Sequence, residues 1–305
     1  MALEQKIAIL GAGGMLGHAL EIEFPRAHYI DVLQSLSERR QFIDIISITN
    51  VLKTLKQLER GSYVINAAAY TDIDGAETSQ GSKISFKVNA EGAENIGIAL
   101  RNLDLRGIHM STAHVFSGDK GYPYNESDQP MPADTYGRHK LRGEKTMRMA
   151  GALVLRTDNF YGQGGKRNLV NRIAAAAKKQ KVIPGVTDLI SSPTWTTSLA
   201  GIIREMIHQW EKDPSLAGQV YHAAGQNSCS HADLTQEVIN IVGADCAVER
   251  MTAEEYNKRY RQKRTKLHPR NYSLDTGKLR KLGISTPDWR SDLEAYIRHD
   301  ILDEE

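Results

Sequence analysis

Cysteine is scarce. Two residues, Cys229 and Cys246, stand 17 positions apart in a chain of 305, with no CxxC pairing. That count argues against a disulfide framework or a zinc site, and two reduced thiols in the core or on the surface are expected. Long hydrophobic runs are missing as well. Nothing approaches the roughly 20 apolar residues of a membrane-spanning helix. The opening segment, MALEQKIAIL, has too short an apolar run and the wrong flanks for a signal peptide, so a cytoplasmic protein is expected. An excess of one charge is also absent. A formal net charge of +2 gives no general argument for nucleic acid or an anionic membrane. There is no internal repeat and no low-complexity segment. What remains is an ordinary globular composition, 40% hydrophobic, long enough for one large domain or two modest ones.

The first half alternates two patterns. Short apolar runs at Lys6–Leu10, Tyr29–Leu33, Tyr63–Ala67, Gly107–Ser111 and Gly151–Arg156 read as strands. Between them, helical spacing runs to Glu23 and over Val51–Leu58, Ile84–Leu100 and Tyr136–Ala150. Strands separated by helices of this length imply βαβ units, hence a Rossmann-type, doubly wound parallel sheet covered on both faces. After Thr157 the pattern loosens, with helices at Leu199–Trp210 and Thr235–Val242 and a helical tail from Asp292. The expected partition is a nucleotide-binding domain at 1–160, with 187–222 returning to it. A smaller α+β substrate domain would be built from 161–186 and 223–305. Trp195, Trp210 and Trp289 are expected to pack rather than bind.

The first strand is followed by G-A-G-G-M-L-G. Gly11, Gly14 and Gly17 fit G-x-x-G-x-x-G, and Met15 and Leu16 open the helix behind it. Glycines there let the backbone turn tightly and approach a pyrophosphate, which the helix N-terminus then faces. The cofactor is expected to be NADPH, with NADH the alternative. Asp31 lies in the second strand, where an acid would favour a ribose hydroxyl. Arg39 and Arg40 follow it, and would either hold a 2′-phosphate or form a solvated loop.

Further along, S-T-A-H-V-F ends the fourth strand, and Thr112 lies 24 residues before Tyr136 in Y-G-R-H-K. Tyr136 and Lys140 share a helical face. An ammonium beside a phenol lowers its proton affinity, so Tyr136 is a candidate proton donor to a carbonyl oxygen. Lys140 is placed to hydrogen-bond a nicotinamide ribose, and Thr112, at the carboxyl edge of the sheet, to hold the same oxygen.

These segments resemble the extended short-chain dehydrogenase/reductases, and within them the dTDP-4-dehydrorhamnose reductase family. The resemblance runs from about residue 5 to 298. It rests on GAGGMLG at 11–17, VINAAAYTDIDGAE at 64–77, VNAEGAENI at 88–96, STAHVF at 111–116 and YGRHKLRGE at 136–144. LRTDNFYG at 155–162, SSPTWTTSLA at 191–200 and HPRNYSLDTGKLRKLGI at 268–284 extend it. It implies NADPH- or NADH-dependent reduction of the 4-keto group of a nucleotide-activated 6-deoxy sugar, in deoxysugar and cell-surface polysaccharide synthesis, by a monomer or homodimer. Thr112, Tyr136 and Lys140 would be catalytic. Gly11, Gly14, Met15, Leu16, Gly17, Arg39, Asn66, Ala67, Ala68, Ala69 and Lys140 would line the cofactor. Tyr70, Ala113, His114, Asn159 and Arg270 would face the sugar nucleotide.

The chain departs from the family where the sugar should lie. Ala113 and His114 replace Asp-Tyr, Asp158 and Asn159 replace Ser-Trp, and His268 replaces Arg. Ala19 stands where an acid is common, which argues against the magnesium ion associated with some members, and no metal site is expected. The basic run 257–270 carries seven Lys or Arg. It is read as a solvated loop that lends one or two cations, Arg270 among them, to a diphosphate. Two rival functions use the same fold. One is a non-catalytic NADP-binding subunit resembling the regulatory partner of methionine adenosyltransferase, and the other is a nucleotide-sugar epimerase.

Overall fold

A computed structural model describes residues 3–32, 40–164, 168–261 and 270–302. Its first half is a run of alternating units. Strand β1 (Ile7–Leu10) leads through the glycine turn into helix α1 (Met15–Glu23), followed by β2 (His28–Asp31) and β3 (Gln41–Phe42). Next come α2 (Ile48–Leu55), β4 (Tyr63–Asn66), α3 (Ile73–Ala76), α4 (Ser79–Phe86) and α5 (Ala93–Leu103). The series closes with β5 (Arg106–Thr112), α6 (Thr135–Met149) and β6 (Leu153–Thr157).

All the sheet pairings are parallel, in the order Val220–His222, β6, β5, β4, β1, β2, β3. The order reverses between β1 and β4, which opens a crevice at the carboxyl ends of the strands. Side-chain alternation builds two cores. Ile7 and Ile9 face one layer with Leu20, Phe24, Ile203 and Met206. Ala8 and Leu10 face the other with Val51, Leu55, Ile96 and Leu100. A strand covered on both faces is apolar throughout, which is why KIAIL reads as a run rather than an alternation.

Several boundaries differ from the periodicity, among them α2, which runs over Ile48–Leu55 rather than Val51–Leu58, and the three that follow. The segment 84–100 is not one helix, because a π-helical turn at Lys87–Gly92 separates α4 from α5. Asn89 within that turn donates to Ser85 Oγ at 3.2 Å and also reaches the Tyr70 backbone, as described below. Helix α6 starts at Thr135 because Asp134 caps it, its carboxylate accepting from the Gly137 amide at 2.6 Å. The second strand ends at Asp31 rather than continuing to Leu33, which lies outside the described residues.

Beyond β6, the helices Leu169–Ala177, His231–Val242 and Trp289–Ile297 enclose a separate core of Tyr161, Ile173, Leu234, Val238, Trp289, Leu293 and Tyr296. Short ladders flank it. Val182–Val186 pairs with Ala247–Met251, and Leu189–Ser191 lies between Cys229–Ser230 and Arg270–Asn271. Trp210 and Trp289 are buried, Trp195 packs against the same core, and Cys229 and Cys246 are free thiols. Among the described residues no helix is long and apolar enough to cross a membrane.

Candidate active site

The glycine turn lies at the reversal point. Gly11 has φ +83°, and a Cβ there would stand 2.8 Å from the Ala68 amide nitrogen and 3.0 Å from the Ala67 carbonyl carbon. At Gly17 a Cβ would meet the Gly11 carbonyl oxygen at 2.3 Å. Only glycine permits this double approach of turn, helix and β4 edge. Gly14 precedes α1 without a side-chain cap, so the first amides of the helix stay available to an anion. These features fit a pyrophosphate. Across the turn, a Cβ at Gly13 would be 2.0 Å from an Asp31 carboxylate oxygen and 3.2 Å from the Arg40 guanidinium. Asp31 therefore ends its strand at the turn itself. Arg40 is engaged by both Glu21 oxygens, at 2.8 and 3.0 Å. Arg39 lies outside the described residues.

Asn66 is buried. Its amide donates to His109 Nδ1 at 3.0 Å and its oxygen accepts from the Ala68 amide at 3.2 Å. The side chain thus ties the Ala68 backbone to His109. His109, fully enclosed, is held uncharged by burial, with Lys140 adding repulsion.

At the end of β5, Thr112 Oγ1 accepts from the His114 amide at 3.2 Å, and its hydroxyl is hydrogen-bonded with Tyr136. Lys140, one turn beyond, donates to the Met110 carbonyl at 2.7 Å. All three side chains are buried. The expected lowering of the Tyr136 proton affinity is not found. Burial raises it well above the ordinary phenol value, against which the Thr112 bond acts, while Asp134 and Asp158 add to the rise. Lys140 is itself brought down to about 8 by burial. A desolvated pair facing two carboxylates keeps the proton on the phenol.

Two glycines let α6 seat these groups. A Cβ at Gly137 would be 2.1 Å from the His114 carbonyl oxygen, and one at Gly143 would be 2.1 Å from that of Asn89. Asn89 holds the Tyr70 backbone from both sides, accepting from its amide at 3.0 Å and donating to its carbonyl at 2.9 Å. Beneath Thr112, Ser111 turns the other way and donates to Glu144 at 2.8 Å. Glu144 in turn takes a two-pronged ion pair from Arg156, at 2.6 and 3.0 Å, with both side chains enclosed. Asn89, Glu144 and Arg156 escaped the sequence reading. The available signal was an arginine inside an apolar strand, GALVLR, which requires a buried acid.

Beside Tyr136 stand the residues that depart from the family pattern. His114 Nδ1 donates to Asp134 at 2.7 Å, its ring stacks on Tyr272 at 4.2 Å, and it meets the Tyr136 ring edge-on at 5.8 Å. Burial would raise the Asp134 carboxyl, but its bond to His114 prevails and holds it below the usual range. Asp158 follows β6 as Ala113 follows β5, and the ladder pairs Thr112 with Thr157, so the two positions are neighbours. Asp158 accepts from the Ser192 amide at 2.8 Å, and burial pushes its carboxyl up to about 7.

Other expected contacts fall differently. Ala113 is fully buried against Val115, Phe116 and Tyr272 and presents no surface to a ligand. The Tyr70 hydroxyl lies over the α3–α4 turn, within 2.6 Å of where a Gly75 Cβ would be. Asn159, at φ +36°, donates to Ser191 Oγ at 3.1 Å. Arg270 pairs with Asp119 at 2.6 Å. Of the basic run, Lys258, Arg259 and Arg261 pair with Glu254, Glu249 and Asp74, and residues 262–269 lie outside the described set. Its described cations are thus engaged by carboxylates, which competes with the expected diphosphate role.

A parallel sheet with a glycine turn at its reversal point and a Thr–Tyr–Lys set at its carboxyl edge defines a short-chain dehydrogenase/reductase type of protein. The chain belongs to the family described as the RmlD substrate binding domain, whose model matches residues 5–301. It is similar to a dTDP-4-dehydrorhamnose reductase of Mycobacterium tuberculosis, 32% identical over 247 residues, covering 79% of this chain and 77% of the relative. The spore coat polysaccharide biosynthesis protein SpsK of Bacillus subtilis is 27% identical over 96% of this chain and 97% of its own. Among solved structures, a dTDP-4-dehydrorhamnose reductase of Bacillus anthracis in complex with NADP superposes with a TM-score of 0.80. It is 25% identical, over 96% of this chain and 98% of that one.

Proposed function

We propose that the chain reduces the 4-keto group of a nucleotide-activated 6-deoxy sugar, most simply a dTDP-sugar, within deoxysugar or surface polysaccharide synthesis. The observation that carries this reading is the Thr112–Tyr136–Lys140 set at the crevice mouth, in a chain of this family. NADPH held against Gly11–Gly17 and Ala67–Ala69 supplies hydride equivalents. Thr112 and Tyr136 hold the ketone oxygen by hydrogen bonds, and Tyr136 Oη gives it a proton as negative charge develops there. Lys140 donates to the Met110 carbonyl and, one helical turn from Tyr136, would hydrogen-bond a ribose hydroxyl of the bound cofactor. The raised proton affinity of Tyr136 suits a donor, since the phenol is protonated at neutral pH.

The choice of cofactor is made at Asp31 and Arg40. Binding a 2′-phosphate requires Arg40 to leave Glu21 and the phosphate to tolerate Asp31, whereas a 2′-hydroxyl needs only an acceptor such as Asp31. NADPH remains the proposed cofactor by analogy with the NADP complex of a relative, and NADH is expected to serve as well.

The test is NADPH absorbance with purified protein and dTDP-4-keto-6-deoxy-L-mannose, repeated with NADH. Turnover is expected, and Tyr136→Phe should reduce kcat by about 100- to 10,000-fold. A protein that binds NADPH but oxidises none of it with a panel of nucleotide 4-keto sugars would be a binding subunit instead.

A further inference from the structure

His114 and Asp134 form an imidazole–carboxylate pair that ketone reduction does not use. The carboxylate takes the Nδ1 proton at 2.7 Å and itself caps α6 through the Gly137 amide at 2.6 Å, so it is rigidly placed. Tyr272 covers one face of the ring at 4.2 Å and Tyr136 meets it edge-on at 5.8 Å. With Nδ1 committed as donor, Nε2 is the ring nitrogen left to accept. Nε2 has no hydrogen-bond partner among the described residues, and the side chain is 18% exposed. An imidazole oriented by a carboxylate, with its second nitrogen open beside the phenol that would hold a ketone oxygen, is arranged as a general base.

A ketone makes the C–H bonds on its two flanking carbons acidic. We propose that His114, positioned by Asp134, removes a proton from a ring carbon next to the keto group, so that the site exchanges that hydrogen with water as well as reducing the ketone. This rests on the keto-sugar reading above. Nε2 takes the proton, the C–H electron pair becomes a carbon–carbon double bond, and the carbonyl π pair moves onto oxygen. The oxygen is held by Thr112 and takes the Tyr136 proton. Reversal returns a proton from Nε2 to the same face of the carbon, exchanged with water in the interval, and Tyr136 recovers its own from the oxygen. No oxidant or reductant is required. This is a proton transfer, distinct from the hydride return of a 4-epimerase.

The experiment incubates the full chain with NADP+ and dTDP-4-keto-6-deoxy-D-glucose in D2O. Deuterium at the carbons flanking the ketone is read by mass spectrometry and proton NMR against an enzyme-free blank, and NADPH oxidation is followed in parallel. Exchange above the blank is expected. In His114→Ala the ratio of exchange to reduction should fall about 100-fold or more, with partial recovery in added imidazole. Asp134→Asn, which still caps α6, should lower the same ratio. NADPH oxidation without exchange overturns the proposal and leaves the reductase standing. Absence of both with this sugar overturns the proposal, while the reductase reading is decided by the dTDP-4-keto-6-deoxy-L-mannose assay above. Exchange at the unmodified rate in both variants removes His114 from the role.

Discussion

Lys140 is a buried ammonium held under tension at the scale of single residues. Burial lowers its proton affinity from the ordinary 10.5 to about 8, so the unfolded chain holds that proton more tightly than the folded one. The cost of enclosing the ammonium is therefore fully present below about pH 8 and is relieved as pH rises toward the unfolded value. At about 1.4 kcal/mol per unit it amounts to roughly 3 kcal/mol. Lys140→Met removes that cost and forfeits the bond to the Met110 carbonyl, worth about 1–3 kcal/mol. The variant should lose reductase activity yet be about 1 kcal/mol more stable at pH 7, the advantage shrinking toward pH 10. Urea unfolding at the two pH values checks this. Lys140 and Tyr136 were legible in the sequence because their partnership is local, one helical turn apart. Glu144 and Arg156 were not, because a helix and a strand meet there only after folding. The Tyr136 proton affinity was misjudged for a related reason. Sequence shows which charge is nearby but not how much water is excluded, and here the exclusion decides.

Among the elements, α6 is the part on which the site depends. It presses on the β5 end at Gly137 and on the π-helical turn at Gly143, and the Asn89 carbonyl occupies the space a side chain would need. Gly143→Ala is expected to destabilise the fold by about 1–3 kcal/mol through overpacking. Its kcat should fall more than thermal stability alone explains, since a shift near 1 Å costs about 100-fold. Comparing the melting temperature with kcat measured well below it separates the two effects. The βαβ pattern itself was readable because a strand enclosed on both faces must be apolar throughout. The break at Lys87–Gly92 was not, because the apolar spacing continues across it. Only Asn89, a polar residue on an apolar face, hinted that a side chain there was needed elsewhere.

For the whole molecule, the strand Val220–His222 is the relevant feature. It completes the sheet beside β6 from far along the chain, and Lys278 donates to its Val220 carbonyl at 2.7 Å. Stretches far apart in the chain are thus interleaved in one sheet. A strand of three residues leaves little period-two pattern to recognise in the sequence. A fragment of residues 1–160 is expected to aggregate and to show no NADPH binding by fluorescence titration, while the full chain binds.

That interleaving also has a consequence in time. On the ribosome, β6 emerges well before its neighbour, because the stretch from Thr157 to Val220 must be translated first. At roughly 5–20 residues per second that interval lasts several seconds. Throughout it the nascent chain exposes an apolar strand edge, of the kind that recruits other strands. Chaperone demand during synthesis should therefore peak in that window and subside once His222 has left the exit tunnel.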